Sequence, residues 1–306
     1  MAKRPKSKVI RFLNEAIKPV RQRIEGFATW GFCGLCSLFP VDKVGTVASW
    51  IFYQLGRFTK ASNTARRNIR KVYPNLTDAE VENIVRGVWD NAGRLIAEYS
   101  NPQDFRGEEG KKRIEIVGLE NFLKLRDDEK PGIIFSGHIG NWQAITHFAT
   151  DNGLELTQLY RTANSPWTDR EMLKRQLQCV PKVIRKGRNG SREIMKLLNE
   201  GGHLMILVDQ KLNEGIEVPF LGRPAMTAPA IARMALRYDC PVVPAWAERI
   251  HDSHFRVYFE PAIEYTPTGD LNLDTYNFML KVNQTLDRWV NKRPDLWFWL
   301  HNRWMD

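Results

Sequence analysis

A chain of 306 residues can bury one sizeable core, either as one large domain or as a domain with an accessory segment. Hydrophobic residues make up 43% of the chain and charged residues 26%, which excludes wholesale disorder. The 45 lysines and arginines against 35 aspartates and glutamates give a net charge of +10. A net positive charge of this size suggests an acidic partner, either nucleic acid or an anionic membrane surface.

The positive charge is concentrated at the start of the chain, where residues 1–23 carry eight basic side chains against Glu15 alone. Two uncharged, aromatic-rich runs follow at residues 26–41 and 44–56. Each run is shorter than the roughly 20 apolar residues that a membrane-spanning helix needs. Basic residues bind anionic headgroups and aromatic rings favour the membrane interface. We therefore expect residues 1–60 to form a basic and apolar helical anchor on the cytoplasmic side of a membrane.

Other interpretations of this segment are an ordinary buried pair of helices and a single short or tilted span. Nucleic-acid binding is the weakest interpretation, because the basic residues precede an apolar aromatic run and no RNA- or DNA-binding motif accompanies them. We therefore predict an anionic membrane surface as a partner, and no nucleic acid.

The four cysteines do not form a disulfide framework. Cys33 and Cys36 have the spacing of a redox or metal-binding pair, but they lie inside an apolar helical run without a second pair. We interpret them as small buried hydrophobic residues. The sequence also lacks an H-E-x-x-H pattern and clustered cysteine and histidine ligands, so we predict neither a metal site nor an organic cofactor.

Residues 57–100 have a helical pattern, in which a basic helix ends at Pro74 and the next begins at a capping box formed by Thr77 and Glu80. From about residue 113, strands alternate with helices. The predicted strands are 113–117, 132–136, 154–160, 183–184, 203–208, 242–248 and 255–260. The predicted helices are 119–125, 141–152, 166–179, 191–199, 228–238 and 273–291. This alternation predicts an α/β fold over residues 61–306, with a single mixed, mostly parallel sheet flanked by helices.

The most informative stretch is Gly132-Ile-Ile-Phe-Ser-Gly-His-Ile-Gly-Asn-Trp-Gln143. Three apolar β-forming residues lead to small residues and then to His138, and Asn141 is placed to cap the helix that follows. The histidine is thus expected at the exposed end of a strand, beside a helix N-terminus. Such a place suits acyl transfer, in which a base works next to amides that stabilise a developing oxyanion.

The string Gly137-His-Ile-Gly-Asn-Trp142 resembles the late acyltransferases of lipid A biosynthesis, the lauroyl/myristoyl transferase family. Further matching blocks run from about residue 66 to the C-terminal string Trp297-Phe-Trp-Leu-His-Asn-Arg-Trp304. The resemblance implies a glycerolipid acyltransferase-like fold at the cytoplasmic face of the bacterial inner membrane. It also implies that acyl carrier protein donates a fatty acyl chain to a hydroxyl of a phosphorylated glycolipid, a lipid A precursor.

In the related enzymes the histidine is the general base, and a Glu or Asp five residues later orients it. The resemblance therefore assigns His138 and residue 143 to catalysis, but residue 143 is a glutamine here. Its amide carries no negative charge and can favour the wrong imidazole tautomer. Loss of the equivalent carboxylate in a serine protease costs about 10⁴ in rate. We therefore expect a poorly active or inactive chain.

The resemblance also implies a set of substrate-binding residues at the same edge of the sheet: Asn141, Arg161, Asp209, Gln210 and Arg303. Arg161 follows a predicted strand and is suited to phosphate, with a surface ion pair as the alternative. Asp209 and Gln210 follow the strand at 203–208, near the expected active site. Arg303 either binds phosphate or packs with the neighbouring aromatic residues. The competing functions are a non-catalytic lipid-binding relative and an acyltransferase for another lysophospholipid or phosphoglycolipid.

Overall fold

The computed structural model describes residues 8–163 and 165–304, with side chains from residue 17 onward. Residues 1–7, the first part of the basic segment, lie outside the described residues. The helices are α1 (Lys8–Cys36), α2 (Val41–Gly56), α3 (Lys60–Val72), α4 (Asp78–Ser100), α5 (Gly107–Arg113), α6 (Leu119–Asp127), α7 (Gln143–Asp151), α8 (Pro166–Cys179), α9 (Arg188–Asn199), α10 (Ala230–Tyr238) and α11 (Leu271–Lys292). The strands are β1 (Ile114–Val117), β2 (Gly132–Ser136), β3 (Leu156–Tyr160), β4 (Lys182–Arg185), β5 (His203–Leu207), β6 (Lys211–Phe220), β7 (Arg223–Thr227), β8 (Val242–His251) and β9 (His254–Phe259).

Seven of these strands form one sheet in the order β1-β9-β8-β2-β5-β3-β4. Neighbouring strands are parallel except β8 and β9, which form an antiparallel pair. The predicted mixed, mostly parallel sheet is therefore confirmed. Strand β2 lies at its centre and is buried along its whole length. Ile133 and Phe135 belong to one core cluster and Ile134 to the other, which explains its uninterrupted apolar run.

One helix and two strands lie where no helix or strand was expected. Helix α5 precedes β1, and β6 pairs with β7 in a separate antiparallel hairpin. The register of the hairpin shifts between Lys211 and Ile216, and its strands contain Gly215, Pro219 and Pro224. Glycine and proline weaken a strand pattern, so the alternation that identifies strands is absent from this sequence.

The predicted helical extension is present, and it packs on the α/β core along one side. Helix α2 packs against α4, and α1 packs along α8, where the rings of Phe27 and Trp167 stack with centroids 6.2 Å apart. Many large apolar side chains of α1, of α2 and of the residues that follow each helix are exposed: Ile17, Val20, Ile24, Phe27, Trp30, Phe32, Leu35, Leu38, Phe39, Val47, Trp50, Ile51, Leu55 and Phe58. Among the described helices, none is long and apolar enough to cross a membrane. Cys33 and Cys36 are buried free thiols, as interpreted from the sequence.

The hairpin is held against the core by α11. Asp287 accepts a hydrogen bond from the backbone N–H of Leu221 at 2.8 Å, and Asn283 donates to the carbonyl of Pro219 at 2.9 Å. The ring of Phe220 packs against Trp297 and Trp304, with centroid distances of 5.4 and 5.9 Å. These contacts join the hairpin to the C-terminal segment.

Burial raises the pKa of Asp287 to about 6, against the opposing effects of its hydrogen bond and of Arg303. A carboxyl group whose pKa is raised by folding stabilises the fold below its unfolded-state pKa near 4, and that contribution is lost as the pH rises through about 6. Asp287→Asn keeps an oxygen for Leu221 and removes the charge. We expect it to raise the Tm at pH 8 by on the order of 2 °C. The increase should disappear near pH 4.5 in a calorimetric scan, and an equal increase at both pH values would contradict this account.

Candidate active site

The loop between β2 and α7 is fixed on two sides. Gly140 has a φ of +57°, and its N–H donates to the carbonyl of Leu296 at 3.1 Å. A Cβ added at Gly140 would lie 1.8 Å from the carbonyl oxygen of Ala247 in β8. On the other side, the carbonyl of His138 accepts the N–H of Phe298 at 3.0 Å. The loop is therefore held between β8 and the C-terminal segment, with a backbone conformation and a close approach that require glycine.

His138 pairs with Asp209. The imidazole Nδ1 lies 2.7 Å from Asp209 Oδ1, while Oδ2 accepts the backbone N–H of His138 and the indole N–H of Trp297, both at 2.8 Å. The two residues meet because β2 and β5 are parallel neighbours, so the segments that follow them lie at the same edge of the sheet. Asp209 has 0% exposure. Its carboxylate is thus fully buried, with both oxygens hydrogen-bonded.

The surroundings of Asp209 keep it ionised. Burial alone would raise its pKa, but the attraction of His138 and the hydrogen bonds from the His138 side chain and backbone together hold the pKa well below its usual range. An ionised carboxylate only accepts hydrogen bonds, so Nδ1 of His138 carries the proton. In the neutral imidazole, the lone pair is then on Nε2. Near Nε2 lies the side-chain amide nitrogen of Gln210, at 3.3 Å, which is placed to donate to that lone pair.

The imidazole is partly open to solvent. The His138 side chain is 22% exposed, and the rings of Trp142 and Phe298 lie 5.1 and 6.4 Å from it, centroid to centroid. A partly exposed imidazole that in its neutral form has the proton on Nδ1 and a lone pair on Nε2 has the features of a general base. Among the described residues, no three histidine, cysteine, aspartate or glutamate side chains are grouped as a metal site.

The predicted contact between residue 143 and the imidazole is wrong. The Gln143 side-chain amide instead donates to Gln176 at 3.4 Å, and its backbone N–H donates to Asn141 Oδ1 at 3.0 Å. Gln143 is 3% exposed and is the first residue of α7, which begins two residues later than predicted. The Nδ1 atom that residue 143 was expected to bind is occupied by Asp209. In this structure Gln143 joins α7 to α8.

Asn141 is an internal residue instead of a substrate ligand. It is 1% exposed, and its amide donates to Glu98 Oε2 at 2.9 Å. Glu98 forms a buried ion pair with Arg249 and accepts the hydroxyl of Ser253 at 2.9 Å. A buried charge is stable when it is paired and hydrogen-bonded, and this network supplies both conditions beneath the loop that carries His138. The substrate-binding prediction for Asn141 is therefore replaced by a positioning role.

Arg303 is also buried, with 0% exposure. Its guanidinium donates to the carbonyl of Met226 at 2.9 Å and to Thr227 Oγ1 at 2.8 Å, and it lies over the ring of Phe220. Burial lowers the pKa of Arg303 to about 10. Of the two interpretations made from the sequence, packing with the aromatic residues is right and phosphate contact is wrong.

Arg161 lies at the expected edge. It directly follows β3, and β5 lies between β3 and β2. Arg161 and His138 are therefore two strand spacings apart across the sheet, at about 5 Å for each spacing. Its side chain is exposed, and no ion pair with it is found within the described ranges. The phosphate-binding role stays a prediction. Asp209 and Gln210 both contact the imidazole, whereas the sequence placed them only near the expected active site.

Trp297 was missed as a site residue. Its indole N–H completes the hydrogen bonding of Asp209, but in the sequence it is one aromatic residue in a string of several. The sequence does contain a signal for the pairing of His138 with Asp209, because each residue follows a strongly apolar strand. Using that signal required the strand order, which places β5 beside β2.

Comparisons with known proteins identify the family of the chain. The sequence pattern of the family described as "Bacterial lipid A biosynthesis acyltransferase" matches residues 17–306. The chain belongs to this family. It is also 23% identical over 292 residues to a protein of Haemophilus influenzae named "Lipid A biosynthesis acyltransferase", covering 91% of this chain and 88% of that protein. Family membership identifies the chain as an O-acyltransferase and supports a lipid A-type substrate.

The rigidity of the His138 loop in this acyltransferase can be tested with two glycines of positive φ. Gly140→Ala meets the Ala247 carbonyl, whereas Gly153→Ala, at φ +82°, has open space around its new methyl group. We expect Gly153→Ala to cost about 1 kcal/mol of folding free energy from backbone strain alone. Gly140→Ala should cost at least about 2 kcal/mol and abolish most acyl transfer. Urea unfolding and an activity assay measure both, and equal effects of the two variants would contradict the close packing.

Proposed function

We propose that this chain transfers a fatty acyl group from the thioester of acyl carrier protein to a hydroxyl of a phosphorylated glycolipid, a lipid A precursor, with His138 as general base. The observation that carries the proposal is the 2.7 Å contact between His138 Nδ1 and the buried Asp209 carboxylate. In the neutral imidazole, that contact puts the proton on Nδ1 and leaves Nε2 free to accept one. A base in this state is what direct attack by an alcohol requires.

The proposed reaction has two proton transfers. Nε2 of His138 takes the proton of the acceptor hydroxyl as its oxygen attacks the thioester carbonyl. The tetrahedral intermediate then expels the thiolate, which receives the same proton from the imidazolium. The products are an ester and the free thiol of the carrier. Throughout these steps the negative charge of Asp209 stabilises the imidazolium and holds the ring in one orientation, as in a Ser-His-Asp triad.

This assignment changes the expectation for Gln143. Impairment was expected because a glutamine in contact with the imidazole lacks a negative charge. Here the charge comes from Asp209, and the Gln143 amide bonds to Gln176. We therefore propose that the chain is active with glutamine at this position. A non-catalytic lipid-binding relative is the weaker proposal, because the base and its carboxylate are both in place.

Gln210 and Arg161 are the proposed substrate-binding residues. The Gln210 amide lies 3.3 Å from Nε2, where it is placed to contact the acceptor hydroxyl or the developing oxyanion when substrate binds. Arg161 is exposed at the same edge of the sheet as His138, which supports contact with the phosphate of a bound glycolipid. Its planar guanidinium suits phosphate oxygens. Neither role needs a metal or an organic cofactor.

We also propose that residues 1–60 hold the enzyme at the cytoplasmic face of the bacterial inner membrane, with residues 61–306 as the catalytic domain. The support is the many large apolar side chains that are exposed between residues 17 and 58, on α1, on α2 and on the residues that follow each helix. Exposed apolar surfaces of this extent mark interaction sites. Lys18, Arg21 and Arg23 are exposed near the start of this segment, as anionic headgroups require.

The proposed roles of Asp209 and Gln143 are tested by two substitutions in an assay of acyl transfer from acyl carrier protein. Asp209→Asn should lower kcat about 10³- to 10⁴-fold, because the amide carries no negative charge and does not hold the imidazole in the required tautomer. Gln143→Met should remain within about tenfold of the parent chain, because its side chain does not touch the ring. Circular dichroism of both variants controls for folding.

Two results would contradict the proposal. One is an Asp209→Asn variant that transfers acyl groups at the parent rate. The other is a Gln143→Glu variant whose rate rises by orders of magnitude, since that gain would mean that the imidazole depends on an acid at position 143.

A further inference from the structure

We infer that the cleft between α1 and α8 is a binding site for an anionic phospholipid of the bilayer. The inference rests on the proposed membrane association, and it assigns a specific lipid site to the contact between the anchor segment and the catalytic domain. The cleft measures about 580 Å³ and is lined by seven residues: Gly26, Phe27 and Trp30 from α1, and Trp167, Arg170, Glu171 and Lys174 from α8.

The two helices meet at a glycine, and this contact shapes the cleft. A Cβ added at Gly26 would lie 2.1 Å from Cβ of Trp167, so the backbones are as close as a glycine allows. Beyond that point the rings of Phe27 and Trp167 stack at 6.2 Å with an interplanar angle of 22°. Phe27, Trp30 and Trp167 are all exposed. The cleft thus has a rigid aromatic wall that is left open to the surroundings.

The charges at the cleft are cationic. Arg170 and Lys174 are exposed and lie one turn apart on α8, so they share one side of the helix. Glu171 also lines the cleft, but its carboxylate is bound to Nε of Arg175 at 2.8 Å, which neutralises it. No acidic partner for Arg170 or Lys174 is found among the side chains that the structure describes. The effective charge presented by the cleft is therefore positive.

An anionic phospholipid matches both features of the cleft. Its phosphate suits a pair of adjacent cations, and its acyl chain suits an exposed aromatic wall. The wall is continuous with the apolar face of α1, where Ile24 is also exposed, so an acyl chain in the cleft remains within the proposed bilayer. A nucleic acid would also satisfy the cations and could stack on the rings, but it would leave the apolar surface next to the cleft, including Ile24, without a partner.

The position of the cleft determines how a bound phospholipid would orient the enzyme at the membrane. Helix α8 begins at Pro166, shortly after β3 ends, and the hydroxyl of Ser165 donates to the carbonyl of Gln22 in α1 at 2.9 Å. The cleft is therefore tied to the carboxyl edge of the sheet, where His138 and Arg161 lie. A phospholipid bound there orients that edge toward the membrane surface that carries the acceptor.

The test is binding of the full chain to vesicles of phosphatidylcholine alone and of phosphatidylcholine containing phosphatidylglycerol, measured by co-sedimentation. Arg170→Glu with Lys174→Glu should weaken binding to the phosphatidylglycerol vesicles at least about tenfold and leave binding to neutral vesicles unchanged. The milder pair Arg170→Gln with Lys174→Gln should also weaken binding to the phosphatidylglycerol vesicles. The matched control is Lys124→Glu with Lys130→Glu, the same charge change at exposed residues that precede β2, at the opposite edge of the sheet. It should change binding less than about threefold.

Each outcome is decisive. Equal losses in the cleft pair and the control pair would overturn the site, because they would show a response to net charge alone. Unchanged binding of the cleft pair would also overturn it. If the parent chain binds neither vesicle, the proposed membrane association fails together with the site. Acyl transfer between detergent-dispersed substrates, measured on the same variants, should stay at the parent rate, so a failure of the lipid site is distinguishable from a failure of the His138 mechanism.

Discussion

The Asp209 carboxylate accepts three hydrogen bonds, from the His138 ring, the His138 backbone and the Trp297 indole. Leaving such a buried carboxylate without its partners costs several kcal/mol, so each of these groups is held in place by the others. The interaction fixes the end of β2, the end of β5 and the C-terminal segment relative to one another. The geometry of the site depends on this one buried charge.

A second buried charge supports the loop from below. Glu98 and Arg249 tie α4 to β8, and the Asn141 amide attaches the loop to that pair. Asn91 extends the network, because it accepts from Arg249 and donates to the carbonyls of Gly140 and Leu296. The loop carrying His138 is thus fixed by polar contacts on one side and by the C-terminal segment on the other. Such preorganisation keeps a base in place without a cost at the moment of reaction.

The sequence was sufficient for the strands of the seven-stranded sheet and for placing His138 at the end of one of them. Apolar runs such as 132–136 and 203–208 identify buried strands by composition alone, and the small residues around His138 mark a strand end. The hydrogen-bonding partner of the His138 ring was predicted wrongly, because the family motif has an acid five residues later and so pointed to position 143. Which strand lies beside β2 is decided by packing of the whole chain, and that order brings Asp209 to the imidazole. Arg303 was ambiguous for a similar reason, since an arginine among tryptophans fits a core or a surface equally well.

The central claim is that Asp209, and not residue 143, sets the protonation of His138. Nitrogen-15 NMR of the histidine side chains tests it directly, because the two imidazole tautomers give different nitrogen and proton signals. We predict that His138 shows a hydrogen-bonded Nδ1–H and an unprotonated Nε2, that Gln143→Ala leaves this pattern unchanged, and that Asp209→Asn removes it. An Nε2–H tautomer in the parent chain, or a pattern that changes with residue 143 and not with residue 209, would contradict the account.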